Sequence, residues 1–115
     1  MKRVYYLSTC DTCSRILKQL RLKEKGFQLQ DIKTEPITKA QLEEMHEMTG
    51  SYEVLFSRVA LKYKALAVKP TKENEYKKLI LQEYTFLRRP VIIAGKNIFV
   101  GNKKGTIEEA EKALS

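Results

Sequence analysis

The first apolar run of the chain, Val4-Tyr5-Tyr6-Leu7, consists of strand-favouring residues bounded by the polar Ser8-Thr9, and it predicts a short buried strand. The period then lengthens. Cys13, Ile16, Leu17 and Leu20 recur at helical spacing, with Arg15, Lys18 and Arg21 on other faces and Gly26 as a C-terminal stop. Phe27-Gln28-Leu29-Gln30-Asp31-Ile32 alternates apolar and polar, the period of a strand. Strand, helix and strand within about thirty residues make a βαβ unit, so these two strands should be parallel and joined by a right-handed crossover.

A loop over Thr34 to Ile37 follows, in which Pro36 biases Glu35 to an extended conformation. The middle of the chain has helical periodicity. Thr38 and Gln41 form a capping-box pattern ahead of Leu42 and Met45. Tyr52 to Leu66 holds a looser helical run closed by Pro70, and Tyr76, Leu79, Ile80 and Tyr84 mark another helix. Pro90-Val91-Ile92-Ile93 and Asn97-Ile98-Phe99-Val100 are two further strands with Gly95-Lys96 as a tight turn between them. Thr106 and Glu109 repeat the capping-box pattern before Ile107, Ala110, Ala113 and Leu114. The order βαβ, helical insert, ββα permits a mixed four-stranded sheet with a helix-rich side, an α/β architecture.

Length and composition narrow the class. A chain of 115 residues fits one domain, and 43% hydrophobic with 31% charged residues argues for a folded globule over a disordered chain. No apolar run approaches the roughly 18–20 residues that span a bilayer, and the run ending at Leu7 is too short for a signal-peptide core. The expected compartment is the cytoplasm, with no membrane association. The net charge of +8 is scattered from Lys2 to Lys112 in short clusters, without an aromatic-interleaved stripe, so it is assigned to a solvated surface that attracts anionic partners and not to direct DNA binding.

Cys10 and Cys13 are the two cysteines, and with one histidine they cannot readily supply a four-ligand zinc site, so no metal is assigned. A Cys-x-x-Cys pair in a reducing compartment points to redox chemistry. Cys10 falls between the first strand and the first helix. A sulfur at a helix N-terminus meets unpaired N–H groups and the positive end of the helix dipole, both of which favour the thiolate that attacks. Cys13 lies one turn onward and can resolve a mixed disulfide. Its place on the apolar face also fits a small buried hydrophobe. Asp11 opposes thiolate formation.

Cys10-Asp11-Thr12-Cys13 after the first strand, together with Arg88-Arg89-Pro90-Val91-Ile92-Ile93 before the third, resembles the ArsC/Spx family of glutaredoxin-linked arsenate reductases and Spx regulators. The resemblance covers essentially the whole chain. It implies a single thioredoxin-like domain over 1–115, with 1–33 and 86–115 forming the core and 38–85 a helical insert. By this resemblance Cys10 is the nucleophile, Arg89 and Arg58 bind an oxyanion, and the Arg89–Pro90 bond is cis and faces the cysteines. Guanidinium forks suit tetrahedral oxyanions and also stabilise a thiolate. The third anion-binding arginine of the reductases should fall near Phe99-Val100-Gly101, where there is none, and Cys13 matches the Cys-x-x-Cys of Spx.

Two functions follow from the resemblance. One is a thiol–disulfide oxidoreductase like arsenate reductase, acting on a small oxyanion or thiol substrate, with Cys10, Cys13 and Arg89 as its catalytic residues. It holds no bound cofactor and draws electrons from glutathione with glutaredoxin, or from a thioredoxin system. The other is a redox-sensing regulator that binds RNA polymerase through a Cys10–Cys13 switch.

Overall fold

The computed structural model describes residues 1–114, and their contacts divide into two compact units: 1–35 with the chain from Arg89 onward, and Pro36–Arg88. The first unit contains β1 (Lys2–Tyr6), α1 (Asp11–Gln19), β2 (Gln28–Asp31), β3 (Val91–Ala94), β4 (Asn97–Val100) and α6 (Lys104–Leu114). The second contains α2 (Lys39–Thr49), α3 (Tyr52–Leu55), α4 (Leu61–Lys64), α5 (Glu73–Gln82) and a 3₁₀ turn at Tyr84–Phe86. Among the described residues, no helix is long and apolar enough to cross a membrane.

The strands form one mixed sheet in the order β2-β1-β3-β4. β1 runs parallel to β2, with Val4 opposite Leu29, and antiparallel to β3, with Val4 opposite Ile92. β3 and β4 are an antiparallel hairpin in which Ala94 faces Asn97. Gly95 takes a φ of 62° at the first of the two turn positions, where a two-residue hairpin of the II′ kind needs it. The core of this unit joins Val4, Ile16, Leu20, Leu22, Phe27, Ile92, Ile107 and Ala110, so α1 and α6 pack with the sheet. Val4 and Tyr5 are both fully buried, which explains why the opening strand is a continuous apolar run and does not alternate.

Three boundaries differ from the sequence pattern. α1 ends at Gln19 and not near Gly26, because Arg21 adopts a left-handed φ of 53° and the chain turns through several short loops. Leu20 and Leu22 both enter the core, and residues two apart on a helix point to nearly opposite sides, so the helix has to break between them. The helical run expected over Tyr52–Leu66 is two single turns, α3 and α4. Between them Phe56 bridges Leu87, the Ser57 N–H donates to the Phe86 carbonyl (2.7 Å), and the Arg88 N–H donates to that of Leu55 (2.8 Å). Those long-range backbone bonds leave the intervening residues extended. α6 begins at Lys104, with the Ile107 N–H on the Lys103 carbonyl (3.1 Å), so Thr106 lies inside the helix and not at its cap.

The Thr38 capping box forms with both bonds present: Gln41 N–H to Thr38 Oγ1 at 3.1 Å and Thr38 N–H to Gln41 Oε1 at 3.0 Å. At the other end of α2, Gly50 closes the helix with a φ of 77°, and no atom lies within 4 Å of where a Cβ would stand. Gly50→Ala therefore meets no clash and costs only backbone strain, about 1–2 kcal/mol. Urea unfolding of the variant should show a lower midpoint with an unchanged slope.

The second unit buries Leu42, Met45, Leu55 and Phe56 completely. Phe56 is its centre, with ring centroids 5.0 Å from Tyr76, 5.1 Å from Phe86 and 5.9 Å from Tyr63.

Candidate active site

Cys10 is the N-cap of α1, extended at φ −99° and ψ 109°. Its N–H donates to the Leu7 carbonyl (3.0 Å) and its own carbonyl accepts from Ser14 (3.1 Å), so the backbone on both sides of the sulfur is pinned. The loop that delivers Cys10 from β1 is also held from below. Asp31, the last residue of β2, accepts from the N–H of Ser8 (3.3 Å) and of Lys33 (3.1 Å) through Oδ1. Burial would raise the Asp31 pKa, but the Ser8 hydroxyl, these N–H groups and the Lys33 charge outweigh it and hold the carboxyl low.

The two sulfurs have opposite environments. Cys10 is half-buried and Cys13 fully buried on the inner face of α1. Desolvation works to raise the Cys10 pKa. Against it act the Cys13 N–H, the Cys13 thiol, the Arg89 charge and the Thr12 N–H, and together they bring it below its ordinary value. None of these N–H groups makes an ordinary capping hydrogen bond to the sulfur, yet they face it closely enough to favour the anion. For Cys13, burial dominates and the neighbouring Cys10 sulfur adds to it. These outweigh the Leu7 N–H and Arg89 and push the thiol up to about 11. The pair therefore divides into one sulfur disposed to ionise and one that keeps its proton and donates it to the first.

Arg89 acts on both sulfurs through its charge, and the Arg89–Pro90 peptide bond is cis. The Pro90 carbonyl accepts from the Gly101 N–H at 2.9 Å, and Gly101 has a φ of 91°. The segment Phe99-Val100-Gly101, where no third arginine stands, thus contributes backbone that anchors Pro90. Arg89→Ala should raise the Cys10 pKa, because a cation that favours the thiolate is removed, while Arg89→Lys should retain part of the shift. A titration of the thiolate ultraviolet absorbance reads both.

Cys10, Cys13 and Arg89 are brought together in the first unit, with Pro90 next in the chain. Arg58 belongs to the second, in the bend between α3 and α4. There its guanidinium donates to Glu53 Oε2 (2.7 Å) and to the Tyr76 hydroxyl (2.9 Å) and lies over the Tyr76 ring. Hydrogen bonding to Glu53 raises the Arg58 pKa above its ordinary value despite partial desolvation. Arg88 is occupied in the same unit, donating from Nε to the Phe56 carbonyl at 3.3 Å. His46 stacks on Tyr52 at 4.1 Å.

Residue types alone did not single out Asp31, Glu53 or the Gly101 N–H. Asp31 carried one usable sign, an aspartate at the end of a strand followed by a turn. The other two depend on partners 5 and 11 positions away, Arg58 and Pro90, and no local pattern marks them.

Comparison with known proteins bears on the family and the fold. A curated relative, the uncharacterized protein YusI of Bacillus subtilis (strain 168), is 26% identical over 110 residues, covering 91% of this chain and 93% of its own. Among solved structures, the YFFB protein superposes with a TM-score of 0.82 at 20% identity, over 100% of both chains. An arsenate reductase from Vibrio cholerae gives a TM-score of 0.77 at 12% identity, over 94% of this chain and 95% of its own. At such identities the two structures speak for the thioredoxin-like fold. The sequence model of the ArsC family matches residues 5–110, nearly the whole chain, which therefore belongs to the ArsC family.

Proposed function

We propose that this protein is a thiol–disulfide oxidoreductase of the arsenate reductase kind, with Cys10 as the attacking thiolate and Cys13 as the resolving thiol. The observation that carries this reading is the asymmetry of the two sulfurs: Cys10 is lowered by N–H groups, the Cys13 thiol and Arg89, and Cys13 is raised by burial. In the forward step the Cys10 thiolate attacks a substrate disulfide and expels one of its sulfurs as a thiol, or displaces an oxygen of a small oxyanion as water. Cys13, or glutathione delivered with glutaredoxin, then attacks the Cys10 sulfur, so that the substrate leaves with the electron pair and the two thiols end as a disulfide that further glutathione reduces. Arg89 sits where it can offset charge on the entering anion. The anion-binding role of Arg58 rests on resemblance alone. No resident cofactor takes part, and a reducing compartment such as the cytoplasm keeps the pair charged with electrons.

One observation favours a second reading, a redox switch that controls binding to RNA polymerase. Cys13 is a second thiol hydrogen-bonded to Cys10, and no arginine stands in Phe99-Val100-Gly101 to complete an oxyanion site.

The test is arsenate-dependent NADPH oxidation with glutathione, glutaredoxin and their reductase present, run beside mild oxidation followed by thiol counting and intact mass. Turnover that disappears in Cys10→Ser supports the enzyme. An intramolecular disulfide without turnover, coupled to redox-dependent capture of RNA polymerase, selects the switch. Inert thiols reject both.

A further inference from the structure

The second unit carries a surface that the cysteine chemistry does not use. From Val54 to Lys72 the sequence contains no acidic residue, and Arg58, Lys62, Lys64, Lys69 and Lys72 make it a run of five cations. Within it stand three large aliphatic side chains that folding leaves almost bare: Val59 at 84% exposure, Leu61 at 83% and Val68 at 80%. A single exposed aliphatic is ordinary, but three within ten residues form a patch that water penalises. Val59 precedes α4 and Leu61 opens it. Lys69 Nζ donates to the carbonyls of Tyr63 (2.6 Å) and Leu66 (3.0 Å) and lies over the Tyr63 ring, which ties the residue after Val68 to the same helical turn.

The charges around the patch are not all cancelled. Glu53 pairs with Arg58 and Glu83 with Lys62, which leaves exposed Lys64 and Lys69 to set the sign at the aliphatic cluster. We infer that the stretch from Arg58 to Lys69 is a docking surface for an acidic protein segment that presents apolar anchors, with Val59, Leu61 and Val68 taking the anchors and the lysines steering the acids. A second copy of this chain is a poor occupant, since a twofold contact would set this cationic patch against itself. A membrane surface is disfavoured because α4 is a single turn, whereas interfacial binding draws on a long amphipathic helix. Single-stranded nucleic acid stacks its bases on aromatic rings, and the bare side chains here are aliphatic.

The probe is a fluorescein-labelled, glutamate-rich peptide with leucines along one helical face, titrated by anisotropy against the full chain. Two controls accompany it, the same peptide with its leucines changed to serine and vesicles of phosphatidylserine. Binding by the leucine peptide should weaken at least about tenfold in Val59→Ser/Leu61→Ser/Val68→Ser, and several-fold in Lys64→Glu with a flatter salt dependence. Both variants alter exposed positions, so their circular dichroism and Cys10 reactivity should match the parent. Equal binding to parent and variants, equal binding of the serine peptide, binding to vesicles only, or binding to neither overturns the inference.

Discussion

Iodoacetamide at neutral pH should alkylate Cys10 at least about tenfold faster than Cys13, because the thiolate is the reacting species and Cys10 lies below 9.0 and Cys13 at about 11, a gap that the lower nucleophilicity of the less basic thiolate only half offsets. The direction follows from the sites. Cys10 lies below the ordinary 9.0 and half-exposed, while Cys13 is fully buried and raised to about 11. At pH 7 a thiol of pKa 11 is ionised in only about one molecule in ten thousand, by the ordinary titration relation. As pH rises, the Cys10 rate should pass its half-maximal point below pH 9.0, and Cys13 should gain reactivity only on approach to about 11. Peptide mapping of singly labelled protein distinguishes the two. Cys10→Ser should abolish fast labelling and thiol exchange together. Cys13→Ser should keep Cys10 reactive but ionising at a higher pH, since the Cys13 thiol is among the groups that lower its pKa, and should trap mixed disulfides that the parent resolves. Equal labelling of both sulfurs would remove the basis for assigning them different roles.

Phe56→Ala should produce the largest loss of stability, about 3–5 kcal/mol. The ring is fully buried and packs against Phe86, Tyr76 and Tyr63, none of which can collapse into the space without losing its other contacts. The Phe56 backbone is fixed as well, through its bridge to Leu87 and the Arg88 Nε bond to its carbonyl, so relaxation by main-chain movement is restricted. For a chain of this size that loss lowers the melting temperature by roughly 10–20 °C. Hydrogen exchange should show the added opening in Pro36–Arg88 first, since Phe56 and its ring partners all lie there. Phe56→Leu keeps most of the volume and should cost about 1–1.5 kcal/mol. A shift of only one or two degrees for the alanine variant would show that the aromatic cluster repacks freely.

Most of the fold was legible because local chemistry and global topology agree. The buried β1, the alternating segment that becomes β2, the β3–β4 hairpin at Gly95 and the Thr38 box each follow from a short stretch of residues. The helix ends were less so. The end of α1 is decided by the demand that Leu20 and Leu22 share one core, and the interruption between α3 and α4 by pairing of Phe56 with Leu87, more than thirty residues away in the chain. At the site, the Cys10-x-x-Cys13 spacing already pointed to sulfur chemistry, and the adjoining Arg89-Pro90 motif carried the resemblance.

What the sequence by itself determined is which atoms are available and in what local geometry: a strand–helix junction with a sulfur at the helix start, a second sulfur one turn onward, and an arginine before a proline. Only the tertiary structure decided how those atoms differ. Cys10 and Cys13 are chemically identical until burial separates them, and Arg89 can bias both only because the sheet brings β3 beside β1, nearly ninety positions apart in the chain. Arg58 likewise gains Glu53 and Tyr76 as partners of its guanidinium only once the chain has folded. Residue type sets a group's intrinsic acidity and hydrogen-bonding capacity, but its charge state and its partner depend on desolvation and on neighbours distant in sequence, which exist only once the chain has folded.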